Sequence, residues 1–213
     1  RLARENPDRT VVFLGVGFET TAPATAATVF EAKRLQVSNF AVLVSHKLVV
    51  PAMLALLRGG DVALDGFLCP GHVSVITWWE IYRPVLERFK QPCVVAGFEP
   101  PSMAAGLSRL LRQVQRGEAR LENAYPQAVS RYGNAVAQRL LSEVFEVVDT
   151  PWRALGVIPR SGLGLRPMYR RFDAVERFGL SIGEDMDHPG CRCGEVICGK
   201  VTPDGCNLFG TVC

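Results

Sequence analysis

A chain of 213 residues with 48% hydrophobic and 21% charged content can bury a substantial core, and it is too apolar for a disordered polypeptide. Its 24 basic and 21 acidic residues leave a formal charge of +3, which gives no ground for a nucleic-acid partner. No apolar run approaches the roughly 18 residues of a membrane span. Arg109, Arg112, Arg116 and Arg120, with Arg166, Arg170 and Arg171, read as solvated helix faces. The chain begins at Arg1 with no basic segment leading into an apolar one, so it is expected to be an internal piece of a longer, cytoplasmic protein.

Four strand-then-helix units follow one another. Val11 to Val16 is an apolar strand, and Ala22 to Leu35 a helix with Thr21 as N-cap and Pro23 in its first turn. Phe40 to Val44 is the second strand, before a helix from Val49 to Leu57 stopped by Gly59-Gly60. Gly66 to Cys69 is the third, before a helix from Val75 to Phe89 that Pro84 kinks or divides. Cys93 to Ala96 is the fourth, before a helix from Met103 to Arg116 with Gly117 as its stop. Strands apolar throughout and alternating with helices predict an α/β fold, a parallel sheet with helices on both faces.

Beyond Leu121 the expected elements are a long helix from Tyr125 to Phe145, a strand from Glu146 to Val148 and a break at Thr150-Pro151. The Gly-, Pro- and Arg-rich stretch that follows, including Ser161-Gly162-Leu163-Gly164-Leu165, reads as an irregular crossing. Three regions result: an α/β domain over 1–150, a crossing over 151–183 with its boundary near Gly183, and a small C-terminal cysteine-rich iron-sulfur module over 184–213.

Polar residues gather just after the strands. Glu19-Thr20-Thr21 follows the first, Ser45-His46-Lys47 the second, Pro70-Gly71-His72-Val73-Ser74 the third and Glu99 the fourth. Parallel strands place such turns along one sheet edge, where α/β folds bind ligands. Glu19, His72 and Glu99 are therefore the candidate active or partner-facing residues, while His46 also reads as part of an exposed turn. The words Val16-Gly17-Phe18-Glu19 and Ala96-Gly97-Phe98-Glu99 echo each other: Gly for the turn, Phe under the sheet edge, Glu toward helix N-termini. Gly15-x-Gly17 lacks a third glycine, which leaves a nucleotide site unsupported. Cys69 and Cys93 read as small core residues.

The other five of the seven cysteines crowd the end: Cys191, Cys193, Cys198, Cys206 and Cys213. Thiolates are soft ligands, so this array favours an iron-sulfur cluster or zinc over hard cations. The turn-rich path Thr202-Pro203-Asp204-Gly205 would fold Cys206 back toward Cys191. Three function classes remain open on the residues alone: a redox scaffold, a zinc-stabilised protein-interaction module pinned by Cys191, Cys193, Cys206 and Cys213, and an independent α/β enzyme using Glu19, His72 and Glu99.

Five segments in register resemble the HypD family of nickel-iron hydrogenase maturation proteins. They are Gly17-Phe18-Glu19-Thr20-Thr21-Ala22-Pro23, Pro70-Gly71-His72-Val73-Ser74, Cys93-Val94-Val95-Ala96-Gly97-Phe98-Glu99-Pro100, Trp152-Arg153-Ala154-Leu155-Gly156-Val157-Ile158-Pro159, and Cys191-Arg192-Cys193-Gly194-Glu195-Val196 through Cys206-Asn207-Leu208-Phe209-Gly210. The resemblance implies an assembly scaffold, working with a HypC-type chaperone and a HypE-type cyanide donor. On it an iron atom would gain cyanide and carbon monoxide ligands while a 4Fe-4S cluster handles electrons. It also implies Cys191, Cys206 and Cys213 as cluster ligands, with the fourth beyond Cys213 or, as the alternative, Cys193. The family's Cys-Gly-x-His and Gly-Pro-Gly-Cys-Pro-x-Cys motifs, which bear the main ligands of the iron under assembly, are not in this sequence, so the chain alone is expected to be inactive. Trp78-Trp79 departs from the small residue expected after the His-Val-Ser word.

Overall fold

The computed structural model describes residues 1–181 and 188–213. The expected boundary at Gly183 lies outside the described residues. A short helix α1 (Leu2–Glu5) leads into β1 (Val11–Gly17), α2 (Ala22–Arg34), β2 (Phe40–His46), α3 (Val49–Arg58) and β3 (Phe67–Pro70). Then come α4 (Gly71–Ile76), a 3-10 turn at Trp79–Tyr82, α5 (Arg83–Phe89), β4 (Cys93–Ala96), α6 (Pro100–Arg116) and β5 (Leu121–Asn123). The rest is α7 (Ala135–Val144), β6 (Phe145–Trp152), β7 (Gly156–Leu165), a 3-10 turn at Pro167–Phe172, α8 (Ala174–Phe178), α9 (Cys193–Ile197) and a 3-10 turn at Pro203–Gly205.

The expected single sheet is divided among three. β1 and β2 form a parallel pair, β3, β4 and β5 a parallel trio in that order, and β6 and β7 an antiparallel hairpin. Each parallel unit has its own core. Ala22, Ala26 and Val29 of α2 pack with Val42, Val144, Phe145, Leu163, Leu165 and Phe172 around the first. Met53 and Leu57 of α3 pack with Cys69, Tyr82, Val85, Cys93 and Val95 on one face of the trio, while Val94 meets Leu110 of α6 on the other. Helices thus cover both faces of the trio, as alternation along β4 requires. The pair departs from that expectation. Val12, Leu14 and Val16, on the side of β1 away from α2, are exposed, and so is Phe13 on the side toward it.

Three local expectations are corrected. The segment from Val75 to Phe89 is split where Trp78 is extended, and Pro84 sits in the first turn of α5, where its missing N–H costs nothing. The long helix from Tyr125 begins only at Ala135, where Asn134 caps it by accepting from the N–H groups of Val136 and Ala137 at 3.1 and 3.0 Å. Thr150-Pro151 is no break: β6 runs through it, with its irregularity between Val148 and Thr150, and the stretch read as a crossing forms β7. The hairpin is locked by buried Ser161, whose Oγ accepts from Trp152 Nε1 at 2.8 Å, lies 2.8 Å from Thr150 Oγ1, and donates to the Ile158 carbonyl at 2.7 Å.

Candidate functional site

Parallel pairing brings the polar turns out at the C-terminal ends of their strands. Gly17 registers with His46 in the pair, and Pro70 with Ala96 in the trio. Glu19 is buried beyond β1, and its Oε1 accepts from the Val49 N–H, the first residue of α3, at 3.0 Å. Burial pushes its carboxyl above the usual range, against the pull of its own N–H and that of Val49. Its other oxygen, Oε2, is buried with no partner. Such an atom is unusual in a folded protein and asks for an explanation.

His72 follows β3 and stacks on Phe98, with ring centroids 4.7 Å apart, while its buried Nδ1 has no hydrogen-bond partner. Glu99 follows β4, and its Oε1 accepts from the Tyr125 hydroxyl at 2.9 Å. Its carboxyl is held below the usual range by its own backbone N–H first, then by Tyr125 and by His72. His72 and Glu99 are thus brought together through Phe98 and Tyr125, whereas Glu19 stands at the start of α3. Tyr82 bridges toward it: this buried hydroxyl donates to the Pro70 carbonyl at 3.5 Å, and burial, then the Cys69 thiol and later the Glu19 carboxylate, push it well up.

Two readings of this edge are corrected. His46 is not an exposed turn residue; it is 1% exposed, its Nε2 lies 3.0 Å from Thr25 Oγ1, and burial pushes its pKa down. Neither phenylalanine of the repeated word is tucked under a sheet. Phe18 is 40% exposed beside Trp152, and Phe98 is 66% exposed above His72. Lys47, just past β2, donates to the Pro151 carbonyl at 2.7 Å, with burial lowering its pKa. Tyr82 and Tyr125 were not singled out in the sequence. The signal for Tyr125 was its place two residues past a short strand, before Pro126, in Asn123-Ala124-Tyr125-Pro126.

The cysteines divide by surroundings. Cys69 and Cys93 are buried on β3 and β4, and burial raises the Cys69 thiol well above its usual value, as expected of core residues. Cys206 is the opposite case. The N–H groups of Leu208, Arg192 and Phe209, with the Arg192 charge, pull its thiol down and favour thiolate. An Arg192 guanidinium nitrogen also donates to the Gly205 carbonyl at 3.2 Å, and the Cys213 N–H donates to the Leu208 carbonyl at 3.0 Å. Arg192, next to Cys191, thus reaches the turn that bears Cys206, and the Cys213 backbone is tied to Leu208 two residues beyond it. Among the described residues no group of three or more His, Cys, Asp or Glu side chains is arranged to hold a metal ion. The fit to a cluster therefore rests on donor chemistry: soft thiols, and backbone N–H groups that stabilise a negative sulfur.

A family model described as "HypD: Hydrogenase formation hypA family" matches residues 1–213. The chain belongs to that family. Its HypD relatives include the hydrogenase maturation factor HypD of Escherichia coli K12, 44% identical over 214 residues and matched over 57% of its own length. Hydrogenase maturation factor HypD2 of Bradyrhizobium diazoefficiens is 43% identical and HypD of Cupriavidus necator 42% identical, both over 220 residues and 58% of their length. All of this chain is covered each time, so it spans little more than half the length of these relatives. No described helix is long and apolar enough to cross a membrane.

Proposed function

We propose that this chain is the strand-end and cluster-bearing part of a cytoplasmic hydrogenase maturation factor, a scaffold on which a substrate iron atom acquires cyanide and carbon monoxide ligands. The observation that carries the reading is the pair of buried, unpartnered polar atoms at the strand ends, Glu19 Oε2 and His72 Nδ1. A third such atom, Gln91 Oε1, precedes β4 and so belongs to the other end of the sheet. Polar atoms withdrawn from water and left open are costly unless a ligand or partner group completes them. The exposed rings of Phe18 and Phe98 beside them suit docking of a HypC-type chaperone and a HypE-type cyanide donor. Membership in a family whose relatives are named maturation factors supports the same role.

In this reading Cys191, Cys206 and Cys213 hold the 4Fe-4S cluster, with the fourth ligand beyond Cys213 or supplied by Cys193. When bound, such a cluster supplies single electrons. The N–H donors converging on Cys206 would set how easily its sulfur bears the added charge. The test uses the full-length protein in cells lacking their own factor. Glu19→Gln and His72→Ala should abolish hydrogenase maturation while leaving the visible absorption and bound iron of the purified protein unchanged. Cys206→Ser should lose both. Normal maturation by the His72→Ala protein would exclude the strand-end site, and full absorption in Cys206→Ser would exclude the ligand assignment.

A further inference from the structure

Tyr125 is the point at which the two glycine-bearing turns of the trio meet. β5 ends at Asn123, whose Oδ1 accepts from the Tyr125 N–H at 2.8 Å, and the Ala124 N–H donates to the Val95 carbonyl at 2.8 Å. The Tyr125 carbonyl then accepts from the N–H groups of Ala128 and Val129 at 3.2 and 3.0 Å, which closes the turn behind it. Its backbone is thereby fixed at the same end of the sheet as His72 and Glu99. The residue is 8% exposed.

The ring lies against Gly71 and Gly97. A Cβ at Gly71 would stand 2.7 Å from Tyr125 Cδ1, and one at Gly97 would stand 2.6 Å from Cε2 and 2.7 Å from Cζ. No real side chain tolerates such approaches to a packed ring. The glycine of Pro70-Gly71-His72 and that of Gly97-Phe98-Glu99 therefore leave the room that this ring shares with the Ala96 carbonyl and the Glu99 carboxylate. From there its hydroxyl reaches Glu99 Oε1 at 2.9 Å, and its ring centroid lies 6.0 Å from that of His72, itself stacked on Phe98. The Gly97 N–H is meanwhile held by Ser102 Oγ at 2.7 Å, so the Glu99 turn is anchored from both sides.

We infer that Tyr125 is the positioning residue of the strand-end site, its ring seated over Gly71 and Gly97 so that its hydroxyl holds the Glu99 carboxylate beside the His72–Phe98 stack. The inference rests on the proposed role of that edge in maturation. A residue that only filled the core would need the ring and not the hydroxyl. A hydrogen bond to an ionised carboxylate has directional strength that a phenylalanine cannot replace.

The experiment separates these roles in the full-length protein. Tyr125→Phe keeps the ring and removes the hydroxyl; Tyr125→Leu removes both. Carboxyl-carbon NMR follows the Glu99 titration, and hydrogenase maturation in cells lacking their own factor gives the functional readout. Both variants should move the Glu99 titration upward toward the ordinary carboxylate range. Both should reduce maturation on the order of tenfold, the scale set by losing one hydrogen bond to a charged group. Glu99→Gln should match that loss. An unmoved Glu99 titration in Tyr125→Phe would overturn the positioning role whatever Glu99→Gln does. A shifted titration with normal maturation by both Tyr125→Phe and Glu99→Gln would instead overturn the strand-end reading, and the functional claim for Tyr125 with it.

Discussion

Glu19 is held in a place that suits a neutral group better than a carboxylate. Its burial raises the carboxyl above the usual range, and only one of its oxygens is satisfied, by the Val49 N–H. A raised folded-state value means that the protonated form is favoured on folding. The stability Glu19 contributes is thus fully present below the unfolded carboxyl range, near pH 4.3, and is lost as pH rises through the folded value. Glu19→Gln should therefore raise the thermal midpoint relative to the wild type at pH 7 and lose that advantage near pH 4. Melting curves of both proteins at the two pH values check it, and an advantage as large at pH 4 as at pH 7 would mean that charge burial is not the cause. A stabilised but inactive variant is what a site that trades stability for function predicts. The sequence made Glu19 visible by its place after an apolar strand. It could not show that one oxygen would be left open, because that depends on where α3 begins in space.

At the scale of elements, strands and helices with a strong local signature were legible, and those defined by partners were not. β1, β2 and β4 are continuous apolar runs, and Gly117 closes α6 in the left-handed conformation that favours glycine. The segment from Tyr125 to Phe145 carried its own contrary signals in Pro126, Gly133 and Asn134, and the Asn134 cap decides where α7 begins. The β6–β7 hairpin was hidden because its glycines and prolines imitate loop composition. Gly162 and Gly164 are there because Cβ atoms would meet the Thr150 and Val148 side chains of the facing strand. The missing sheet continuity is likewise nonlocal: nothing along β2 or β3 states that they will not pair. Ser161 tests the account of the hairpin. Ser161→Ala would strip an acceptor from half-buried Trp152 Nε1 and remove the hydroxyl that donates to the buried Ile158 carbonyl. The expected loss is about 2 kcal/mol, within the range for unpaired buried polar groups. Chemical denaturation should read it as a lower midpoint with an unchanged slope, and an unaffected midpoint would show that the hairpin stands without this network.

Across the whole molecule, the described part of the cysteine-bearing tail is attached to the α/β body but contributes no buried residue to its interior. The Ala63 N–H donates to the Cys198 carbonyl at 2.9 Å, and Lys200 pairs with Asp61, so the tail leans on the loop between α3 and β3. No described residue from His188 to Cys213 is buried, and Ile197 and Phe209 are 38% and 58% exposed. One backbone hydrogen bond and a largely exposed ion pair are worth about 1 kcal/mol each at most. Ordering some two dozen residues costs far more than that. The proposed cluster would supply stabilisation on the necessary scale through metal-thiolate bonds, as in other small modules without a core. Limited proteolysis of the chain extended to the family's full length, compared with and without reconstituted iron and sulfide, should therefore cut the metal-free sample between His188 and Cys213 well before the body. Reconstitution should protect the same bonds. Equal resistance in the two samples would mean that docking on the loop at Asp61 and Ala63 holds the tail by itself, and an Asp61→Ala variant that lost this resistance would identify the contact responsible.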